Sequence, residues 1–262
     1  MKTNKTELIL NYIIEAYLDE NEPIGSAELG LRMDGMIPAS TIRVYFKKLS
    51  DLGSLKQLHV SGGRIPTTKA MKHYWSQRLS FKDELAINSL GNLSKILENF
   101  KIYCIISGIN SEILEEVINY SHKYIILNFK SCEFLLKFDE KIYNFLLNLV
   151  GIGLDELYTI CSQVGLSELR TKIGLFKRSN VLFISNKTLV YEIYRDDKFE
   201  MLLDPSFSSY MSSNLAYEPL FERSYMGVKR DIKLGDKNAV MLCAGSVYED
   251  WEKFFDTIAE VA

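Results

Sequence analysis

The stretch from Ser40 to Thr67 constrains the fold more than any other part of this 262-residue chain. Ile42, Phe46, Leu49 and Leu52 recur every three to four residues, the spacing that places side chains on one face of a helix. Ser40, Arg43, Val44, Lys47 and Lys48 then fall on its other faces. Gly53 ends the helix, Leu55 to Val60 reads as a short extended run, and Ser61-Gly62-Gly63 is a tight turn with Arg64 beside it. A helix that gives one side to a core and cations to the other, followed by a hairpin, has the layout of a recognition helix and a β-wing. A solvated basic surface is the competing reading of the same residues.

Charge separates the two readings. The chain carries a net −3, yet Ser40 to Leu79 holds eight Lys/Arg against one Asp, while Met1 to Ala39 holds three against seven Asp/Glu. Cations concentrated in one helix, one wing and the following helix are the footprint of a module that binds a polyanion through one face. A sequence pI near 5.8 excludes a protein that coats nucleic acid along its whole surface. No run approaches the roughly 18 apolar residues of a membrane span and the polar start is no signal peptide, so no membrane partner is expected and the cytoplasm is the default.

Around that stretch, Lys5 to Asn21 carries a broad apolar stripe suited to a first helix, with Ser26 as N-cap of a second over Ala27 to Arg32. Pro38 occupies or precedes the first turn of the third. After the wing, Thr67 or Thr68 caps a helix to Leu79, with Lys69, Lys72 and Arg78 available to phosphates. Phe81 to Phe100 reads as one long amphipathic helix. Strands are expected at 102–106, 124–129, 134–138, 181–184, 189–194 and 239–243, and helices at 139–150, 154–176 and 248–261. The length allows two domains, each burying its own core.

The stretch resembles the HrcA family of heat-shock repressors, whose TIRN-type recognition helix precedes a wing reading close to HTSAGRIPT. The matching residues are Thr41-Ile42-Arg43, Leu49, Gly53, His59, Ser61, Gly63 to Thr67 and Tyr74, and Glu22 to Ser26 resembles the family's EPVGS. Val44 stands where the family has Asn, Phe46 for Met and Gly62 for Ala, and one extra residue lies between Pro38 and Thr41. The resemblance implies an α+β chain, with an N-terminal winged helix-turn-helix over 1–80 and a GAF-like regulatory and dimerisation domain over 81–262. A reduced dimerising insert is expected at about 154–220. It further implies a homodimer that binds an inverted-repeat operator in double-stranded DNA, releases it on heat stress and depends on the GroE chaperonin. The candidate DNA contacts are Ser40, Thr41, Arg43, Val44, Lys47, Lys48, His59, Ser61, Arg64 and Lys69. Of these, Arg43 is expected to read a base, Lys47 to hold phosphate and Arg64 to reach a minor groove or phosphate. His59 either assists or packs the wing against the helix.

Catalytic signatures are absent: there is no GxSxG, no phosphate-binding GxxxxGK[ST] and no HExxH. Gly151-Ile152-Gly153 follows a helical run and lacks a third glycine, so it reads as a helix stop. Cys104, Cys132, Cys161 and Cys243 show no ligand-pair spacing and sit mostly among apolar neighbours. No enzyme activity, cofactor or metal is therefore expected. A metabolite- or metal-responsive repressor, and an enzyme or interaction protein that does not bind DNA, are the alternatives.

Overall fold

A computed structural model describes residues 5–59, 62–83, 85–108 and 112–261, and its architecture is α+β with a mixed sheet. Three helices come first, α1 (Lys5–Glu20), α2 (Ser26–Arg32) and α3 (Ala39–Asp51), followed by an antiparallel ribbon of β1 (Leu55–Gln57) and β2 (Arg64–Pro66). Next come α4 (Thr68–Arg78), β3 (Leu85–Ile87), α5 (Leu90–Asn99), β4 (Tyr103–Gly108), β5 (Leu114–Tyr120), β6 (Tyr124–Phe129) and β7 (Glu133–Lys137). The chain continues through α6 (Glu140–Leu147), α7 (Leu154–Val164), α8 (Ser167–Ser179), β8 (Val181–Ser185), α9 (Leu189–Ile193) and α10 (Phe199–Leu203). It finishes with β9 (Leu215–Ala216), β10 (Tyr225–Leu234), β11 (Lys237–Ser246) and α11 (Trp251–Val261).

Local chemistry sets the first elements. Gly25, not Ser26, is the N-cap of α2, because the Glu28 carboxylate accepts the Gly25 N–H at 3.2 Å and Ser26 becomes the first helical residue. Pro38 precedes α3 as its N-cap. Ile42, Phe46 and Leu49 are buried as the spacing requires, but Leu52 is the C-cap and stays 57% exposed. Thr67 caps α4, its Oγ1 accepting from the Ala70 N–H at 3.3 Å and donating to the Gly53 carbonyl at 2.8 Å. That pair fastens the end of the ribbon to the end of α3.

The main sheet runs β3-β10-β11-β4-β8, with β9 also beside β10; only β3 pairs in parallel. Alternate residues serve its two faces. Cys104, Ile106, Val228, Met241 and Cys243 pack with α5 and α11, whereas Tyr103, Ile105, Leu242 and Ala244 pack with α9 and α10. The first of these cores does not stop at residue 80. It runs continuously from Ile9 in α1 through Trp75 in α4 to Ile258 in α11, so the N-terminal helices and the sheet share one interior.

A separate core lies elsewhere. β4 and β8 are antiparallel neighbours, and between them the chain leaves the sheet to build β5-β6-β7 covered by α6, α7 and α8. Leu114, Val117, Ile125, Leu127, Leu157, Cys161 and Ile173 fill that unit. The residues at about 154–220, expected as a reduced dimerising insert, divide between two cores: the first third packs here, while Val190, Leu202 and Phe207 belong to the far face of the main sheet.

Two further expectations change. Phe81 to Phe100 is not one helix, because Leu85 and Ile87 are buried with exposed Ala86 between them as β3, and Ser89 then caps α5 by accepting the Asn92 N–H at 3.3 Å. Leu189–Ile193, within the strand expected at 189–194, is helical, with Val190 and Ile193 buried three residues apart. β5 and β10 were not expected as strands.

Candidate nucleic-acid interface

The buried row of α3 fixes what the helix shows to solvent. Opposite Ile42, Phe46 and Leu49 runs the exposed line Ser40, Val44, Lys47 and Asp51, with Val44 67% exposed. Thr41, Arg43 and Lys48 are exposed on its flanks, and the two cations on those flanks are not equivalent. Arg43 Nε donates to Ser26 Oγ at 3.1 Å, which braces the guanidinium against α2 and leaves its Nη groups with no protein partner among the described residues. Lys48 Nζ turns back and donates to Thr6 Oγ1 of α1 at 3.1 Å. Arg43 thus presents a held, forward-facing fork, while Lys48 is partly committed to the fold.

Arg64 is the first residue of β2 and pairs with Gln57 at the end of the ribbon nearest the turn. Its N–H donates to the Ile24 carbonyl at 2.8 Å and its carbonyl accepts the Ile24 N–H at 2.9 Å, which clamps the ribbon to the segment between α1 and α2. Gly63 permits this approach: a Cβ there would lie 2.5 Å from the Pro23 carbonyl oxygen. The second glycine of the turn therefore serves packing within the protein. Arg64 and Arg43 face one open cleft of about 500 Å³, lined also by Gly25, Ser26, Phe46 and Gly62. Arg64 is half-buried, and its Nε is buried with no partner among the described residues.

His59 is exposed, and its carbonyl accepts the Gly62 N–H at 2.9 Å; its side chain does not pack the ribbon against α3. Ser61 lies outside the described residues. Lys69 is exposed in the first turn of α4. Lys72 and Arg78, expected to be available to phosphates, are engaged: Lys72 pairs with Glu218 and stands over the Tyr217 ring, and Arg78 pairs with Glu252 at 2.8 Å. The hydrogen bond from Lys72 holds the Glu218 carboxyl below its ordinary range. Among the described residues, the cations left on this side are Arg43, Lys47, Lys56, Arg64 and Lys69. Lys56, exposed in β1, and Ser26, the brace of Arg43, were not among the expected contacts. Nothing in the local sequence around Ser26 marks it as a partner of Arg43, 17 residues away, and only the fold brings the two together.

α4 carries the interface onto the sheet. Trp75, fully buried, donates from Nε1 to the Val247 carbonyl at 2.7 Å, and Tyr248 Oη donates to the Pro66 carbonyl at 3.2 Å. Burial pushes the neighbouring Tyr74 phenol up to about 12. The ribbon and α4 are thus bolted to the β11–α11 turn.

Comparison with known proteins bears on this arrangement. Residues 75–262 match the family described as the HrcA C-terminal domain. Two Helicobacter pylori proteins, each named heat-inducible transcription repressor HrcA, are 32% and 30% identical over 258 residues, which covers 98% of this chain and 95% of each relative. A solved structure described as a hypothetical protein covers 99% of this chain and 98% of its own, with a TM-score of 0.48 at 16% identity.

Proposed function

The chain belongs to the HrcA family of heat-inducible transcription repressors, and from that premise we propose that α2, α3 and the β1–β2 ribbon form a winged helix-turn-helix that reads operator DNA. As a member of this family it is a repressor and not an enzyme. The observation that carries the reading is the pairing of a braced Arg43 on α3 with Arg64 across one open cleft. With α3 in the major groove, the Arg43 fork reaches a guanine edge, Lys47 and Lys56 hold phosphates on either side, and Arg64 holds the phosphate that enters the cleft. Ser40, Thr41, His59, Ser61 and Lys69 supply the remaining backbone contacts, and Lys48 contributes least. Footprinting of the purified protein on the promoters of its host's chaperone genes, repeated over a salt series, tests this. Protection of an inverted repeat with a steep salt slope is expected; protection absent at every salt concentration refutes it.

The reading extends to a homodimer acting in the cytoplasm, since one such reader spans few base pairs and a two-fold pair matches an inverted repeat. The outer face of β5-β6-β7 supports a specific geometry. Across its strands lie three rows: Tyr120, Tyr124 and Lys137; then Ile118, Ile126 and Leu135; then Glu116, Asn128 and Glu133. Tyr120, Tyr124 and Leu135 are 58%, 40% and 46% exposed, so an apolar band lies uncovered between a basic and an acidic end. Two such faces stacked about an axis running across the strands put Lys137 of each copy over Glu133 of the other. An axis along the strands would set acid against acid.

Heat release follows from the shared interior. Because Trp75 and the α1 residues belong to the core that holds α5 and α11, loss of sheet packing withdraws the support of α4 and the ribbon. The aromatic strands of the inserted unit would then be open to the GroE chaperonin, which we propose as the partner that returns the chain to its DNA-binding form.

A further inference from the structure

We propose that Val44 is a specificity residue, and that it reads the C5-methyl group of a thymine in each half-site. The inference rests on the reading of α3 as the helix in the major groove. Val44 lies on the crest of α3, between Ser40 one turn before it and Lys47 one turn after, on the line directly opposite Ile42, Phe46 and Leu49. Arg43 and Lys48 sit to its two sides, braced by Ser26 and Thr6. A helix entering the groove crest first brings Val44 against the groove floor, with Arg43 reaching a base edge from the flank beside it.

What meets it there follows from chemistry. The isopropyl group has no donor or acceptor, so pressed against guanine O6 and N7, cytosine N4 or adenine N6 it would displace water and leave a polar edge unpaired. Thymine offers the one apolar group in the major groove. A branched side chain is also a poor choice for a solvated helix crest, where straight-chain residues lose less rotamer freedom. A β-branched apolar residue, 67% exposed on the crest of a cationic face, is therefore accounted for by an apolar contact made on binding.

The test uses the full-length protein and duplexes selected by it from a random pool. In the selected operator each thymine is replaced in turn by deoxyuridine, which removes only the methyl group, and affinities are compared for wild type, Val44→Ala and Val44→Thr. One thymine per half-site is expected at which methyl removal weakens the wild type about four-fold, the fold-change that corresponds to burying one methyl group. Val44→Ala should bind the unmodified operator several-fold more weakly and be indifferent to deoxyuridine at that position. Val44→Thr, which keeps a methyl group, should keep the dependence. Since Val44 is solvent-exposed, neither variant perturbs the core, and matching melting curves will show it. If Val44→Ala tracks the wild type at every thymine while operator binding persists, the assignment is overturned and the reading of α3 stands. If no duplex is enriched over random DNA, the reading of α3 falls, and this assignment with it.

Discussion

Trp75→Phe tests whether the proposed DNA-reading end and the sheet melt as one body. The indole is fully buried at the point where α4 meets the β11–α11 turn, and its N–H satisfies the Val247 carbonyl at 2.7 Å. Phenylalanine leaves that carbonyl without its partner, and an unsatisfied buried acceptor costs about 1–3 kcal/mol. The space vacated by the smaller ring adds roughly 1–2 kcal/mol. In a chain of this size each kcal/mol moves the melting temperature by roughly 2–4 °C, so the variant should melt on the order of 10 °C lower. No group placed in the groove is touched, so operator affinity well below the transition should equal that of the parent. The assay follows circular dichroism and operator binding on the same sample during warming, for both proteins. Release is expected to move down by the same interval as the melt. A variant that melts lower but holds its operator to the parent's release temperature would refute the shared-core account, because the DNA-reading end would then be stable without the sheet.

Four other outcomes are expected. Gly63→Ala should lose about 1–3 kcal/mol of stability by thermal melt, since the new Cβ would push the ribbon off Pro23 and Ile24; an unchanged melt would show that this close approach is not the reason for the glycine. Lys47→Ala should lower the salt slope of operator binding by about one unit and Lys48→Ala by less, because Lys48 is held by Thr6; the reverse order would remove Lys47 from the phosphate. Ile126→Lys should yield a monomer by light scattering, and Glu133→Lys should weaken the dimer in a way that Lys137→Glu in the same chain restores; a stable dimer in all three would move the interface elsewhere. Finally, burial raises the Glu249 carboxyl above its unfolded value, so its ionised form opposes folding at neutral pH and the opposition fades as pH falls through the raised value. Glu249→Gln should therefore melt higher than the parent at pH 7, by a margin that shrinks on acidification, and a pH-independent difference would contradict that cause.

The elements that sequence periodicity identified are those whose reasons are local. α3 announces itself because Ile42, Phe46 and Leu49 are buried in the order their spacing demands, and the ribbon because Gly53 and the glycines before Arg64 leave little else for the chain to do. β10 was hidden for the opposite reason. Lys229, Arg230, Asp231 and Lys233 interrupt its pattern, and Arg230 is buried only because Phe81 and Phe255 lie against its guanidinium, 5.9 and 5.1 Å away, while Asp83 accepts one N–H through its carbonyl. Desolvation there lowers the Arg230 pKa. β3, three residues long, is too short to display alternation, and its apolar residues fit the spacing of a helix as well as that of a strand. The interface divides in the same way. Its positive charge was countable in the sequence, but which cations remain available was not, because Lys48, Lys72 and Arg78 are engaged by residues 42, 146 and 174 positions away. Those distant partners have a thermal consequence. Lys72 and Arg78 join α4 to Glu218 and Glu252, outside the first eighty residues, and these exposed pairs each contribute little. The attachment of the N-terminal helices and ribbon to the sheet then depends chiefly on Trp75 and the apolar interior around it, which is why its loss should be cooperative with the melting of the sheet and insensitive to salt, whereas the proposed DNA binding should be strongly salt-dependent.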